Sequence, residues 1–242
     1  QYLREIFRTE VISQVGHGAE ILELNCGTGL DAIYFAELGF RVYATDNSSG
    51  MIEELNKKIL KNNLEDKIES HQLSFHDLNK MGDKKFDAVV SNFGGLNCTD
   101  KLDNVLDQFS SILKPSGKII LVIMPKICPW EIVQVFRFKI RTAFRRFNGR
   151  AKAHIDGNYF TCWYYNPGYV KKKLSLNFKV LSLKGIFITV PPEFYKNFVE
   201  RYPKLFGILK KIDGMICNVF PFTYFCDHYI ISFEKKGKDP II

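Results

Sequence analysis

The stretch Ile21-Leu22-Glu23-Leu24-Asn25-Cys26-Gly27-Thr28-Gly29 decides the fold. Its first four residues form a short apolar run typical of a buried strand, and the glycines after it indicate a tight turn into a helix. Glycine at such a turn lets the backbone approach a ligand where a Cβ atom would clash. Residues 27–32 also fit the dinucleotide-binding pattern G-x-G-x-x-G/A, so the turn alone does not choose its ligand.

Around this stretch, short apolar runs alternate with segments of helical periodicity. The pattern predicts strands near 21–24, 41–45, 67–73, 86–90, 118–124, 178–183 and 229–233, and helices near 31–38, 51–60, 102–113 and 169–174. Apolar strands separated by helices indicate a parallel sheet that is buried on both faces. The predicted fold class is therefore α/β, with a doubly wound, mainly parallel sheet of seven strands.

Two segments without this alternation, 125–166 and 191–226, interrupt the pattern. We predict one domain over 1–242, with a core in 1–124, 167–190 and 227–242 and the two segments as inserted lids. In the first insertion, apolar residues recur at helical spacing and predict one apolar face of a helix over 131–147: Val133, Phe136, Ile140, Phe144 and Phe147. A basic stripe follows on another face of that helix: Arg137, Arg141 and Arg145. The stripe fits either a solvated surface or an anion or membrane contact.

Composition excludes several classes of protein. Six cysteines form no C-x-x-C pair and no cluster with histidine, which disfavours a disulfide framework or a metal site and suits a reducing cytoplasm. No apolar run reaches the roughly 18 residues of a membrane span. The net charge of +8 can attract nucleic acid, an anionic membrane or an anionic substrate. The chain starts at Gln1 without Met or a signal-peptide pattern, so we expect residues upstream.

Four motifs in order make the functional assignment more specific. Residues 23–29 resemble the first motif of class I S-adenosylmethionine-dependent methyltransferases, with Asn25 in place of the usual first glycine. Residues 46–51, Asp-Asn-Ser-Ser-Gly-Met, are similar to their D-x-S-x-x-M element. Residues 86–92 resemble the fourth-strand motif, and residues 113–118 resemble the turn before the fifth strand. Together the motifs imply a Rossmann-like methyltransferase fold with S-adenosylmethionine as the cofactor.

The resemblance also implies which residues meet the cofactor. Glu23, Gly27 and Gly29 would surround its methionine end, and Asp46 would hold the ribose. The remaining predicted cofactor residues stand in the same motifs or after the third strand: Asn25, Cys26, Asn47, Met51, Asp77 and Asn92. Met51 would pack near the adenine, Asp77 would bind its amino group, and Asn92 would lie beside the sulfonium.

Each of these residues also has a purely structural interpretation. The glycines build a tight turn whether or not a ligand binds there. Asp46 fits a helix cap, and Met51 fits the core of a helix. Cys26 fits a small buried filler better than a reactive thiol.

The acceptor side shows no catalytic constellation. Methyl transfer from a sulfonium is an in-line displacement, so alignment matters most, and a base is needed only when the acceptor must lose a proton. His154 is the histidine we nominate as that base. We expect the insertions to pack together over the carboxyl ends of the strands, with Phe136, Tyr159 and Trp163 lining the acceptor pocket and Arg137 or Arg141 near its mouth.

These features predict a small, apolar or amphiphilic acceptor. Residues 91–94 lack the N-P-P-Y or D-P-P-Y motif of enzymes that methylate amino groups of bases, which disfavours nucleic acid. Peripheral membrane contact through the basic insertion helix stays open. The alternative functions are an NAD-dependent oxidoreductase and a non-catalytic, basic RNA-binding or interaction protein on a methyltransferase core.

Overall fold

The computed structural model describes residues 1–155, 158–192, 195 and 197–237. Its strands are β1 Glu20–Leu24, β2 Arg41–Asp46, β3 Ile68–Gln72, β4 Phe86–Ser91, β5 Leu113–Ile123, β6 Arg150–Ile155, β7 Asn158–Trp163, β8 Phe178–Ile186 and β9 His228–Lys235. Its α-helices are α1 Tyr2–Gln14, α2 Leu30–Glu37, α3 Ser49–Lys61, α4 Leu102–Ile112, α5 Pro129–Ile132, α6 Ile140–Phe144, α7 Pro167–Leu174, α8 Phe198–Arg201 and α9 Pro203–Ile216. Three 3-10 turns lie at Leu78–Met81, Gly95–Cys98 and Val133–Arg137.

Seven strands form the main sheet in the order β3-β2-β1-β4-β5-β9-β8. Neighbouring strands are parallel except β9, which is antiparallel to both β5 and β8. The predicted doubly wound, mainly parallel sheet is therefore confirmed. Because β9 runs the opposite way, it begins at the edge where β1, β4, β5 and β8 end.

Helices cover both faces of this sheet. On one face, α1 buries Leu3, Phe7 and Val11, a spacing of four residues that turns one helix side toward the sheet. On the other face, α4 buries Phe109 against residues such as Phe233 of β9. Burying each of these large side chains contributes about 1.5–3 kcal/mol. None of the helices in the described ranges is long and apolar enough to cross a membrane.

The first insertion differs from the predicted helix over 131–147. It consists of α5, a 3-10 turn, α6 and the β6–β7 hairpin, which the sequence pattern did not indicate. The helix cannot continue past Phe138, which has a left-handed φ of 57°.

The predicted apolar face is also wrong, because its members are all exposed: Val133 45%, Phe136 86%, Ile140 62%, Phe144 47% and Phe147 51%. Gln134, Ala143 and Arg146 are buried instead. The three arginines of the predicted basic stripe also differ in their surroundings. Arg145 pairs with Glu131, while Arg137 and Arg141 are exposed.

Candidate active site

The turn after β1 has an unusual backbone. Asn25, Gly27 and Gly29 all have a positive φ, at 48°, 56° and 76°. Such values cost little for glycine, and asparagine tolerates them better than most other residues. Gly29 precedes α2, and a Cβ atom there would lie 2.2 Å from Cδ1 of Leu55. The absence of a Cβ atom at Gly29 therefore allows the turn to pack closely against α3.

Asp46 lies beside this turn, at the end of the neighbouring strand β2. Its Oδ2 accepts a hydrogen bond from the backbone N–H of Gly27 at 2.9 Å, and its Oδ1 accepts one from Ser48 at 2.9 Å. Two N–H donors thus fix the carboxylate, and each oxygen keeps a lone pair for a ligand hydroxyl. The N-cap of α3 is Ser48, whose Oγ accepts the N–H of Met51, so Asp46 is not the cap of that helix.

Two buried carboxylates lie behind the turn. Glu23 in β1 is 3% exposed, and its Oε2 has no hydrogen-bond partner among the described residues. Burial and then the charge of Asp31 raise the pKa of Glu23 well above its ordinary value. Asp31 forms ion pairs with Arg4 and Arg8 of α1, both at 2.7 Å. These ion pairs between α1 and Asp31 were not predicted from the sequence, although two arginines four residues apart, on one face of an N-terminal helix, were a usable signal.

Asn92 follows β4 and connects these groups. Its Nδ2 donates to Asp31 at 3.0 Å, and its backbone oxygen accepts from Nδ2 of Asn25 at 3.1 Å. Ser91 donates to Oδ1 of Asn25 at 2.7 Å. The side chain that replaces the usual glycine therefore holds the turn after β1 to the turn after β4. The guanidinium of Arg4 lies 4.6 Å from the ring centre of Phe93, beside the same turn.

The other predicted cofactor residues differ in their surroundings. Met51 is 41% exposed in the first turn of α3, and its backbone N–H donates to Oγ of Ser48. Asn47 follows Asp46, and its backbone oxygen accepts a hydrogen bond from Gln72 at 3.4 Å. Asp77 lies on the turn after β3, and its carboxylate is 3.2 Å from the ammonium group of Lys80. Cys26 is buried, and burial raises the pKa of its thiol, which fits a packing role.

A second group of charges lies where β9 begins, at the same edge of the sheet. Arg146 is buried and donates from Nη2 to Oδ1 of Asp227 at 2.6 Å and from Nε to Glu131 at 2.8 Å. Cys128 lies beside these two carboxylates, and its thiol donates to Oδ1 of Asp227 at 3.4 Å. Nδ1 of His228 is 2.8 Å from Oδ2 of Asp227.

This arrangement keeps Asp227 ionised. Burial alone would raise its pKa, but the His228 ring and the Arg146 guanidinium hold that pKa below its ordinary value. An ionised carboxylate at Nδ1 favours the tautomer with its proton on Nδ1, which leaves Nε2 of His228 as a proton acceptor. His228 was not nominated from the sequence, because a histidine directly before a predicted strand more often has a structural role.

The two insertions contact one another above this edge. The Trp130 and Tyr195 rings are 5.4 Å apart, and Gln134 donates to the Tyr195 hydroxyl. A cavity of about 370 Å³ lies between α1 and the second insertion, and its aromatic lining consists of Tyr2, Phe187, Tyr195, Phe198 and Phe206. The ring of Phe187 is 5.6 Å from Tyr2 and 6.4 Å from His228.

The residues predicted to line the pocket lie elsewhere. Phe136 and Tyr159 are 86% and 77% exposed, so neither of them encloses a ligand. The backbone oxygen of Trp163 accepts a hydrogen bond from Asn97 in the 3-10 turn after β4, and its ring lies 5.4 Å from the guanidinium of Arg150. His154 lies on the exposed part of β6, against the ring of Tyr159 at 4.5 Å. No contact in the described part of the chain joins His154 to the cofactor residues, and its role as a base stays a prediction.

Comparison with known proteins agrees with this geometry. A family model described as a methyltransferase domain matches residues 21–117. Demethylmenaquinone methyltransferase from Clavibacter sepedonicus is 32% identical over 119 residues, which is 49% of this chain and 46% of that protein. The ubiquinone/menaquinone biosynthesis C-methyltransferase of Haemophilus ducreyi is 33% identical over 130 residues, 52% of this chain and 49% of that protein. The chain thus spans about half the length of the curated relatives it matches.

Among solved structures, the chain is similar to a methyltransferase from Methanosarcina mazei described as S-adenosylmethionine-dependent. The TM-score is 0.66 at 16% identity, and the match covers 95% of this chain and 98% of the other. At that identity the similarity supports the fold alone. The two alternative functions, an NAD-dependent oxidoreductase and an RNA-binding protein, gain no support from these comparisons.

Proposed function

Because residues 21–117 form a class I S-adenosylmethionine-dependent methyltransferase domain, we propose that the chain transfers a methyl group to a small, apolar or amphiphilic acceptor. One observation carries the proposal. The backbone N–H of Gly27 donates to Asp46, which fixes the carboxylate beside the glycine-containing turn after β1. We also propose that the chain is one domain, with a methyltransferase core and two inserted segments, 125–166 and 191–226.

The residues present fit S-adenosylmethionine. Asp46 can accept hydrogen bonds from both ribose hydroxyls, because each of its oxygens accepts only one hydrogen bond from a backbone N–H. Glu23 offers a buried oxygen without a partner to the ammonium group of the methionine end. The Cβ position at Gly27 is in open space, Gly29 lets the turn pack against Leu55, and Met51 offers an apolar side chain for the adenine. Asp77 remains the candidate for the adenine amino group and Asn92 for the sulfonium side.

The bound cofactor supplies a methyl group that its sulfonium already activates for in-line displacement. The chain then has to align the acceptor, exclude water and take up any proton that the acceptor loses. His228 is our candidate for the base that takes up this proton. Asp227 fixes its ring, and its Nε2 atom has no hydrogen-bond partner among the described residues. The neighbouring ring of Phe187 also lines the cavity.

The cavity between α1 and the second insertion supports the acceptor class. Its aromatic rings favour an apolar ring system, while Glu5 and Lys210 at its wall offer polar contacts. A volume of about 370 Å³ suits a small molecule better than a protein or nucleic acid. The names of both curated relatives given above refer to quinones, and quinones are apolar ring compounds.

Calorimetric titration tests the cofactor first. S-adenosylmethionine and S-adenosylhomocysteine should bind, and NAD should bind much more weakly; binding of NAD alone would refute the proposal. The second step offers methyl-labelled cofactor with a reduced, short-chain demethylmenaquinone and should give a labelled organic-phase product.

The His228→Gln variant should keep its affinity for S-adenosylhomocysteine and lose most of its methyl transfer. Unchanged turnover in that variant would remove His228 as the base and leave the cofactor assignment intact.

A further inference from the structure

Seven consecutive residues of the first insertion, Val135-Phe136-Arg137-Phe138-Lys139-Ile140-Arg141, are all exposed. We call them the exposed segment 135–141. Phe138 is 93% and Phe136 is 86% exposed, the two highest values among the large apolar side chains in the described ranges. Two neighbouring phenylalanines in water are costly, because each forgoes the burial that stabilises a folded chain.

The protein backbone holds this segment in one conformation. The N–H of Phe138 donates to the oxygen of Val135 at 2.9 Å, and the N–H of Lys139 donates to Gln134 at 3.0 Å. Phe138 ends the turn with its left-handed φ of 57°. Buried Gln134 precedes the segment and buried Ala143 follows it. Folding therefore presents these side chains to solvent in an ordered turn.

The charge of the segment is entirely positive. Residues 132–155 contain no aspartate or glutamate. Arg145 and Arg146 of this stretch pair with Glu131, whereas Arg137, Lys139 and Arg141 form no ion pair with any residue that the structure describes. Cations alternate with apolar side chains along the segment, so both kinds are present on one small surface.

We propose that the exposed segment 135–141 binds the surface of a bilayer that contains anionic lipids. Phe136, Phe138 and Ile140 enter the boundary between headgroups and acyl chains. The three cations extend to the lipid phosphates, which are complementary to them in charge. Membrane binding would bring the chain close to an apolar acceptor, because apolar molecules dissolve in the bilayer. RNA is the less suitable partner, because Val135 and Ile140 cannot stack on bases.

The test is co-sedimentation of the purified chain with vesicles. Phosphatidylcholine vesicles with 30% phosphatidylglycerol are compared with pure phosphatidylcholine, without cofactor. One variant removes the aromatic rings (Phe136→Ser with Phe138→Ser), and another removes two charges (Arg137→Gln with Lys139→Gln). The matched control is Leu60→Ser with Leu176→Ser, two apolar residues that are 63% and 82% exposed outside the insertion. Circular dichroism and thermal unfolding establish that every variant is folded.

We expect the native chain and the control to bind the anionic vesicles and to bind neutral vesicles at least tenfold more weakly. Each removed cation should weaken binding to anionic vesicles about fivefold, and loss of the two rings should weaken it at least tenfold. Native-level binding of the aromatic variant would overturn the proposal, as would a tighter complex with a single-stranded RNA in a gel-shift assay.

This proposal does not depend on methyl transfer. A chain that binds vesicles but no S-adenosylmethionine refutes only the proposed function. A chain that binds the cofactor but no vesicles refutes only the membrane contact.

Discussion

The turn after β1 and the first insertion both have clear sequence patterns, yet only one pattern predicted the structure. In the turn, the glycines lie between β1 and α2 as predicted, and Asp46 at the end of β2 accepts a hydrogen bond from Gly27. In the insertion, the apolar residues at helical spacing are in solvent, and Arg146, which is not part of the predicted basic stripe, is buried.

The difference follows from where the determinants lie in the chain. The conformation of Gly27 and Gly29 is a property of the local backbone, because few residues other than glycine adopt those φ values at low cost. The burial of Arg146 requires two carboxylates, and one of them, Asp227, is 81 residues away. Helical spacing shows which residues share a face, but the face that is buried depends on such distant partners.

The largest effect should come from Arg146→Met. This change leaves Glu131 and Asp227 buried without their guanidinium, so the free energy of unfolding should fall by about 3–5 kcal/mol. Chemical denaturation measures it. The control is Arg141→Met, which removes an exposed arginine and should stay within about 0.5 kcal/mol of the native protein. Equal effects in both variants would mean that the buried cluster is not what holds the insertion.

The next largest effect concerns Asp46 and cofactor affinity. Asp46→Ala removes the carboxylate that would hold the ribose, and should weaken S-adenosylhomocysteine binding by about 2 kcal/mol in a calorimetric titration. It also frees the N–H groups of Gly27 and Ser48, so a stability loss of about 1–2 kcal/mol should accompany it. Asp46→Asn keeps an acceptor oxygen and should lose less of both. Unchanged affinity in a folded Asp46→Ala variant would contradict the ribose role.

The motifs sufficed for the parallel sheet, its strands and the turn with Asp46, because apolar runs and glycine positions record local geometry. They did not reveal the closure of the site by Arg4 and Arg8 on Asp31, which depends on the packing of α1. They also missed the pairing of His228 with Asp227, since adjacent residues in a strand-like run normally point to opposite faces. The sequence therefore did not predict contacts between distant elements, such as α1 and Asp31, or the contact between two adjacent residues at the beginning of β9.

A smaller effect distinguishes the two roles of Asn25. Asn25→Gly loses the hydrogen bonds to Ser91 and Asn92 but adopts the φ of 48° freely. Asn25→Ala loses the same bonds and also strains the backbone, so it should be less stable than Asn25→Gly by about 1 kcal/mol. Thermal unfolding of the pair measures this difference. Equal stability would show that the left-handed conformation is not retained in the variants.

The smallest effect on stability should come from Phe136→Ser, and it tests the comparison most directly. A phenylalanine on the buried face of a helix would cost about 3–5 kcal/mol when truncated, because its contacts are lost and a cavity remains. Phe136 is 86% exposed, so the change should alter the free energy of unfolding by no more than about 0.5 kcal/mol. Phe109→Ser in α4 is the matched control, because that ring is fully buried and should show the larger loss. If Phe136→Ser were as destabilising as Phe109→Ser, the helical spacing would have identified a packed face after all. The contrast between the two regions would then disappear, together with the aromatic part of the proposed membrane contact.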